Sequence, residues 1–202
     1  MQVTSIVPLD KQRSKVFLDE EQVFVLYRGE RKRYQIEEGN ELSEEQYNRI
    51  LEEILLKRGK ERALYYLKDR DRTEYEIRKK LKEGFYPQQV VDQIINFLTE
   101  YHFLDDLDFG RRYIETYGNQ RSRKRLEFDL LKKGLKQEQI RILLEDCEVC
   151  EDRQIRAFLQ KKGYMPESTT PKDKAKLVAA LARKGFSFDA VYRNLGVSQE
   201  DI

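Results

Sequence analysis

The stretch EYEIRKKLKEGF, residues 74–85, decides the fold: a basic amphipathic run that stops at Gly84 and is followed by an apolar residue, Phe85. The pattern recurs as RLEFDLLKKGL, ending at Leu135, and as KLVAALARKGF, ending at Phe186. The glycines stand at 84, 134 and 185, so the period is about fifty residues. A helix that ends in the left-handed conformation favours glycine just past its end, and basic residues in its last turn complement the dipole. Phe85, Leu135 and Phe186 are then expected to anchor each turn in the core.

Working outward, each glycine is followed by a polar turn and a second amphipathic run: PQQVVDQIINFLTE, KQEQIRILLED and SFDAVYRNLG. Upstream lies another: KERALYYLKDR, LDDLDFGRRYIETYG and EDRQIRAFLQKKG. Each unit reads helix, helix, glycine turn, helix. The predicted fold is mainly α, an elongated tandem array of three-helix, helix-turn-helix-like repeats. The expected divisions are 59–104, 105–149 and 150–202.

Residues 1–58 differ. VTSIV (3–7), KVFLD (15–19) and VFVLY (23–27) are short and rich in β-branched and aromatic residues, which predicts a small N-terminal sheet with a hairpin. SEEQYNRILEEILLKR (43–58) opens on a capping box, Ser43 with Gln46, and carries an apolar stripe of Tyr47, Ile50, Leu51, Ile54 and Leu55.

Charge is segregated. Over 202 residues the net charge is only +2, but residues 37–53 carry seven Glu against one Arg, and residues 111–136 carry nine Lys or Arg against three acids. No run is long enough to span a membrane, and MQVTSIVPLD does not read as a signal peptide, so a cytoplasmic protein is expected. Cys147 and Cys150 form a CxxC, but His102 is the only histidine and no βαβ pattern accompanies it, so two ordinary thiols are expected.

Three aspartates crowd FLDDLDFGRRY (103–113). Asp105 or Asp106 is placed to cap the next helix, and Arg111 and Arg112 to pair with Asp108 one turn on. No phosphate loop, nucleophile elbow or metal-ligand spacing is found, so no catalytic residue, cofactor or metal is expected. The chain reads as a binding protein.

ALYYLKDRDRTEYEIRKKLKEGF (63–85), FLDDLDFGRRYIETY (103–117) and LLKKGL (130–135) together resemble the RecX family of bacterial recombination regulators. The resemblance is carried by Ala63, Leu64 and Leu67, then Arg72, Thr73 and Glu74, then Leu81 with Gly84, and finally Leu104, Asp105 and Asp106. It covers residues 60 to 196. The family's Lys-Gly stands here as Glu83-Gly84, its usual alanine as Gly110, and its Gly-Pro-Arg-Arg start as Ser122, Arg123, Lys124 and Arg125. The resemblance implies a modulator of the RecA recombinase, lying in the groove of the RecA filament on single-stranded DNA and suppressing its ATPase, strand exchange and coprotease functions.

Such a filament offers acidic protein surface and phosphates. The basic stretches are the expected counterpart: Arg78, Lys79 and Lys82; Arg121, Arg123, Lys124, Arg125, Lys132 and Lys133; Lys172, Lys174 and Lys176. The run from Arg121 to Arg125 is expected to lead, being the densest and preceding a helix whose amides can face an anion. Tyr65, Tyr66, Phe85, Phe97 and Phe109 sit at helical spacings and read as core in preference to base-stacking platforms. The expected partners are RecA filament, single-stranded DNA and also duplex DNA, with the protein a monomer. The rival reading is a sequence-specific helix-turn-helix transcription regulator. Against it, the third helices are acidic or nearly so, a poor match to a major groove.

Overall fold

Strand β1 (Val3–Pro8) pairs antiparallel with β2 (Arg13–Leu18), and β2 with β3 (Gln22–Tyr27), giving a three-stranded sheet in chain order. The computed structural model describes residues 1–20, 22–145 and 151–198. Alternation sets the faces. Val16, Leu18, Phe24 and Leu26 are fully buried on one side, with Val16 directly opposite Phe24.

That buried face is covered by helix. After the short α1 (Arg28–Arg33), the capping box forms as the sequence predicts: Gln46 N–H donates to Ser43 Oγ, and Ser43 N–H to the Gln46 amide oxygen, both at 3.1 Å. From there α2 (Glu44–Arg49) passes through a π-helical segment (Ile50–Leu56) into α3 (Lys57–Asp69) with helical backbone at each junction. Residues 58 and 59 thus lie inside one continuous helix. Leu51, Leu55, Gly59 and Ala63 recur every four residues and are all buried. In a straight α-helix that spacing drifts by about 40° per step, and the wider π turn offsets the drift.

Helices α4 (Glu74–Glu83) and α5 (Gln88–Glu100) complete the first repeat. The Arg72–Thr73–Glu74 step has a structural reason. Arg72 is 8% exposed; its Nε donates to the Tyr66 carbonyl at 3.0 Å and its Nη2 to Asp69 at 3.3 Å, locking the end of α3. Thr73 is fully buried and caps α4 in a reciprocal box with Glu76. The sheet and these helices share one hydrophobic core, with Phe24, Ile50, Ile77, Leu81, Ile94 and Leu98 at its centre and Leu104 closing it.

Met1–Asp105 forms one compact unit and Asp106–Ile202 another. In the second, α6 (Asp106–Tyr117), α7 (Arg123–Lys132) and α8 (Gln137–Glu145) enclose a core around Leu126, Leu130 and Leu143. Helices α9 (Glu151–Lys161), α10 (Pro171–Arg183) and α11 (Phe188–Leu195) enclose another around Ile155, Leu181 and Val191. Asp105 immediately precedes α6, Asp106 and Asp108 fall in its first turn, and Arg112 pairs with Asp108. A Cβ on Gly110 would stand 2.4 Å from Leu143 Cδ1, so the missing methyl is where α8 seats against α6. Cys147 and Cys150 lie outside the described residues.

The three glycine turns are not equivalent. Leu135 N–H donates to the Leu130 carbonyl and Phe186 N–H to the Leu181 carbonyl, each at 3.2 Å, with Gly134 and Gly185 left-handed at φ +90° and +87°. These match the expectation. In the first repeat the bond is made by Tyr86 N–H to the Leu81 carbonyl, also at 3.2 Å, so the helix extends one residue further. Gly84 sits at φ −81°, and the left-handed residue is Phe85, at φ +59°. The core anchor is accordingly Tyr86, 8% exposed, and not Phe85.

Candidate nucleic-acid interface

The basic residues singled out in the sequence fall into two groups. Some are committed to carboxylates of the protein itself. Arg78 on α4 is bracketed by Glu74 at 2.6 Å and Asp92 of α5 at 2.5 Å, its side chain 28% exposed. Arg121 donates to Asp129 Oδ2 at 2.7 Å and to the Tyr113 hydroxyl, with its guanidinium 4.1 Å from the Tyr117 ring centroid. Asp129 is 9% exposed, and Arg125 reaches it too, at 3.1 Å. Burial, with the Asp129 charge second, pushes the Tyr113 phenol above its ordinary pKa. This is a buried carboxylate satisfied by two arginines, an arrangement in which neither partner is easily spared. Lys176 pairs with Asp173 at 2.9 Å.

Others are uncommitted. Lys79, Lys82, Arg123, Lys124 and Lys132 are exposed and Lys174 half-buried, and none forms a side-chain ion pair among the described residues. Lys133 is the C-cap of α7 and lies 5.7 Å from the Phe109 ring. The run from Arg121 to Arg125 therefore divides: Arg121 faces inward, Arg125 is shared, and Arg123 and Lys124 face solvent.

The amide cradle expected at the start of α7 is already filled. Arg123 N–H donates to Glu151 Oε1 at 3.0 Å, and Arg125 N–H to Ser122 Oγ at 3.2 Å. Ser122 is fully buried, and its hydroxyl donates to the Lys184 carbonyl at 2.9 Å. Its Oγ also stands 2.7 Å from where a Cβ on Gly185 would be. This end of α7 joins the second repeat to the third, with the Arg123 and Arg125 amides already engaged.

One aromatic assignment changes, and one exposed ring was missed. Tyr65 is 70% exposed, not core, whereas Phe109 is buried and Tyr66, Phe85 and Phe97 are half-buried. The sequence reading also missed Phe128, which is 52% exposed on α7, with the Arg125 guanidinium 5.5 Å and the Lys132 ammonium 5.7 Å from its ring centroid. Its signal was available: Leu126 and Leu130 carry the buried stripe, and Phe128 stands midway between them, on the opposite face. Arg125, Phe128 and Lys132 thus form an exposed cation–aromatic stripe with Lys124 beside it.

A groove of 570 Å³ between α7 and α8 is lined by Arg123 and Arg141 but also by Glu127 and Glu138, so its charges balance and it offers no particular hold on an anion. Among the described residues no three His, Cys, Asp or Glu side chains are gathered as a metal site, and no helix is long and apolar enough to cross a membrane. His102 is exposed in the turn after α5 at φ +56°.

The arrangement is that of a helical repeat protein whose α7 carries an exposed stripe of cations and an aromatic ring. Residues 60–98 match the first three-helix domain of RecX and residues 151–195 the third. The chain is 23% identical to the regulatory protein RecX of Clostridioides difficile (strain 630), covering 91% of this chain and 88% of that protein. It is 25% identical to the RecX of Clostridium tetani (strain Massachusetts / E88), covering 90% and 86%. A crystal structure of regulatory protein RecX superposes with a TM-score of 0.64 at 25% identity, over 96% of this chain and 98% of that one. The crystal structure of RecX from Lactobacillus salivarius shares the fold, with a TM-score of 0.63 over 70% of this chain and 94% of that one. This chain belongs to the RecX family of regulatory proteins.

Proposed function

We propose that this protein modulates the RecA recombinase, binding the groove of the RecA filament on single-stranded DNA and lowering its ATPase, strand exchange and coprotease activities. It acts as a cytoplasmic monomer through three tandem repeats, residues 59–104, 105–149 and 150–202. Several repeats engaging successive protomers raise avidity without any strong single contact.

The observation that carries this reading, beyond family membership, is the outer face of α7. Among the described residues Arg123, Lys124 and Lys132 are exposed cations with no carboxylate partner, and Lys132 lies beside the exposed Phe128 ring. Lys79 and Lys82 on α4 and Lys174 on α10 are the corresponding free charges on the other middle helices. Such cations displace counterions from phosphates, so binding is expected to weaken with salt.

The test is RecA's single-stranded-DNA-dependent ATPase, titrated with this protein at two salt concentrations. Wild type should inhibit. The combined Arg123→Ala, Lys124→Ala and Lys132→Ala variant should inhibit about ten-fold more weakly at unchanged helical content, each lost phosphate contact also flattening the salt dependence. No effect of the wild type on RecA, with tight binding to a palindromic duplex, would overturn the reading in favour of a transcription regulator.

A further inference from the structure

A second surface, on the other compact unit, carries its own chemistry. Between the sheet and helices α3 and α4 lies a cavity of 400 Å³, within the roughly 300–1,000 Å³ range of small-ligand sites. Its lining brings together four cations, Arg13, Arg58, Arg62 and Lys80, against one acid, Glu83. Two of these cations are neutralised. Arg13 pairs with Asp10 at 2.7 Å; Arg58 pairs with Glu30 at 2.9 Å and donates to the Val25 carbonyl at 2.6 Å.

The other two have no carboxylate partner among the described residues. Arg62 Nε donates to the Tyr66 hydroxyl at 2.8 Å, and Lys80 Nζ sits 4.9 Å from the Tyr66 ring centroid. A third cation, Lys15 of β2, stands 3.8 Å above the ring of Phe85, which lines the same cavity. An ammonium held over a ring keeps its N–H donors available for an incoming acceptor.

Phe85 supplies the independent observation. It occupies the left-handed position that the second and third repeats give to Gly134 and Gly185, although Gly84 lies one residue earlier. A bulky aromatic is strained there, and strain of this kind concentrates at functional sites. Its effect is to hold a ring at the cavity wall, near Tyr66, Tyr27 and Tyr86.

Rings alternating with uncompensated cations suit a ligand that has both a planar face and a negative charge. An acidic peptide would use only the cations. We infer that this cavity takes a nucleotide of single-stranded nucleic acid, its phosphate at Arg62 and Lys80 and its base in the ring-lined space beside Tyr66 and Phe85. The site is separate from α7, and it rests on the proposed function only in taking single-stranded nucleic acid as the ligand.

The experiment needs no RecA, so its outcome is read independently of the ATPase test. The full chain is titrated against a short fluorescent oligothymidylate by anisotropy, and cross-linked to the same strand carrying 5-iododeoxyuridine. Phe85→Gly should bind about ten-fold more weakly while its Tm does not fall, since glycine is what the other two turns use. The double variant Arg62→Ala and Lys80→Ala should bind about ten-fold more weakly with a shallower salt dependence. Cross-links should map to the peptides containing Tyr66 or Phe85. Binding by both variants within two-fold of wild type, or cross-links confined to α7, would overturn the inference. So would competition by polyglutamate as strong as by the strand, which would assign the cavity to an acidic peptide. Competition by free thymidine monophosphate as effective, per nucleotide, as by the strand would assign it to a free nucleotide and equally overturn the strand reading.

Discussion

The middle helices of the first and second repeats, α4 and α7, look alike in sequence and are finished differently. Both begin at a buried hydroxyl cap, Thr73 or Ser122, and both end by a bond back to a fully buried leucine, Leu81 or Leu130. The α4 cap is closed within its own helix by Glu76, whereas the Ser122 hydroxyl reaches to Lys184 in the third repeat. After α7 the left-handed residue is glycine; after α4 it is an aromatic. Each region also withdraws an arginine from the surface, Arg78 to Asp92 and Arg121 to Asp129. One local pattern therefore supports two roles: α4 builds a cavity wall against the sheet, and α7 serves as a joint between repeats with a basic outer face.

The largest expected effect tests the arginine that looks like a ligand contact. Arg121→Ala removes a charge-assisted bond to buried Asp129 and the contact with Tyr117, and should cost about 2 kcal/mol of stability. Lys124→Ala, one turn away and exposed, should change stability by less than about 0.5 kcal/mol and act only on binding. Urea denaturation of both variants, beside oligonucleotide titration, separates them. An Arg121→Ala protein as stable as wild type would dissolve the distinction between the two groups of cations.

Next come the turns. Gly185→Ala and Gly134→Ala force a side chain into the left-handed region, at about 1–2 kcal/mol. Gly185→Ala should be the worse, because its Cβ would also press on Ser122 Oγ. Gly84→Ala needs no left-handed backbone, but its Cβ would stand 3.1 Å from Tyr86 Cε2 and 3.2 Å from the Leu81 carbonyl oxygen, so it should cost about 1 kcal/mol, less than Gly185→Ala. Thermal melts of the three variants would reverse the assignment of the first turn if Gly84→Ala proved the most damaging.

The smallest effect is that of pH. Asp152 is held below the usual carboxylate range by hydrogen bonds from Arg193 and then Asn194, and Asp92 by Arg78 and then Gln88. A carboxylate with a lowered folded pKa stabilises the protein above its unfolded value of 3.8 and loses that contribution as pH falls through the folded value. Tm should hold from neutral pH down to that range and then decline. Asp152→Asn should start lower and decline less, a comparison that melts across acidic buffers would make.

Most of the fold was legible because it is local. Short runs rich in β-branched and aromatic residues marked the strands, the Ser43–Gln46 box marked a helix start, and recurring amphipathic runs with glycine marked the repeats. The site was half legible. Lys79, Lys82, Arg123, Lys124 and Lys132 are as exposed as composition suggests, but nothing in the local spacing tells Arg78 or Arg121 from them. Arg78 has Glu74 one turn before it, but its second carboxylate, Asp92, arrives from the following helix, and Asp129 reaches Arg121 from two turns on. Phe128 was missed because amphipathic reading looks for the buried stripe and passes over what lies opposite it.

By itself the sequence determined the elements, the repeat and the family, since caps, periodicity and glycine positions act over a few residues and leave a direct trace in the chain. The tertiary structure decided the rest. It set the first turn one residue later, with Tyr86 in the core and Phe85 left-handed at a cavity, because α4 could extend by one residue and still bond back to Leu81. It chose which cations stay free, because ion pairing depends on distance in space: Lys15 meets Phe85 only once the sheet has packed against α3 and α4.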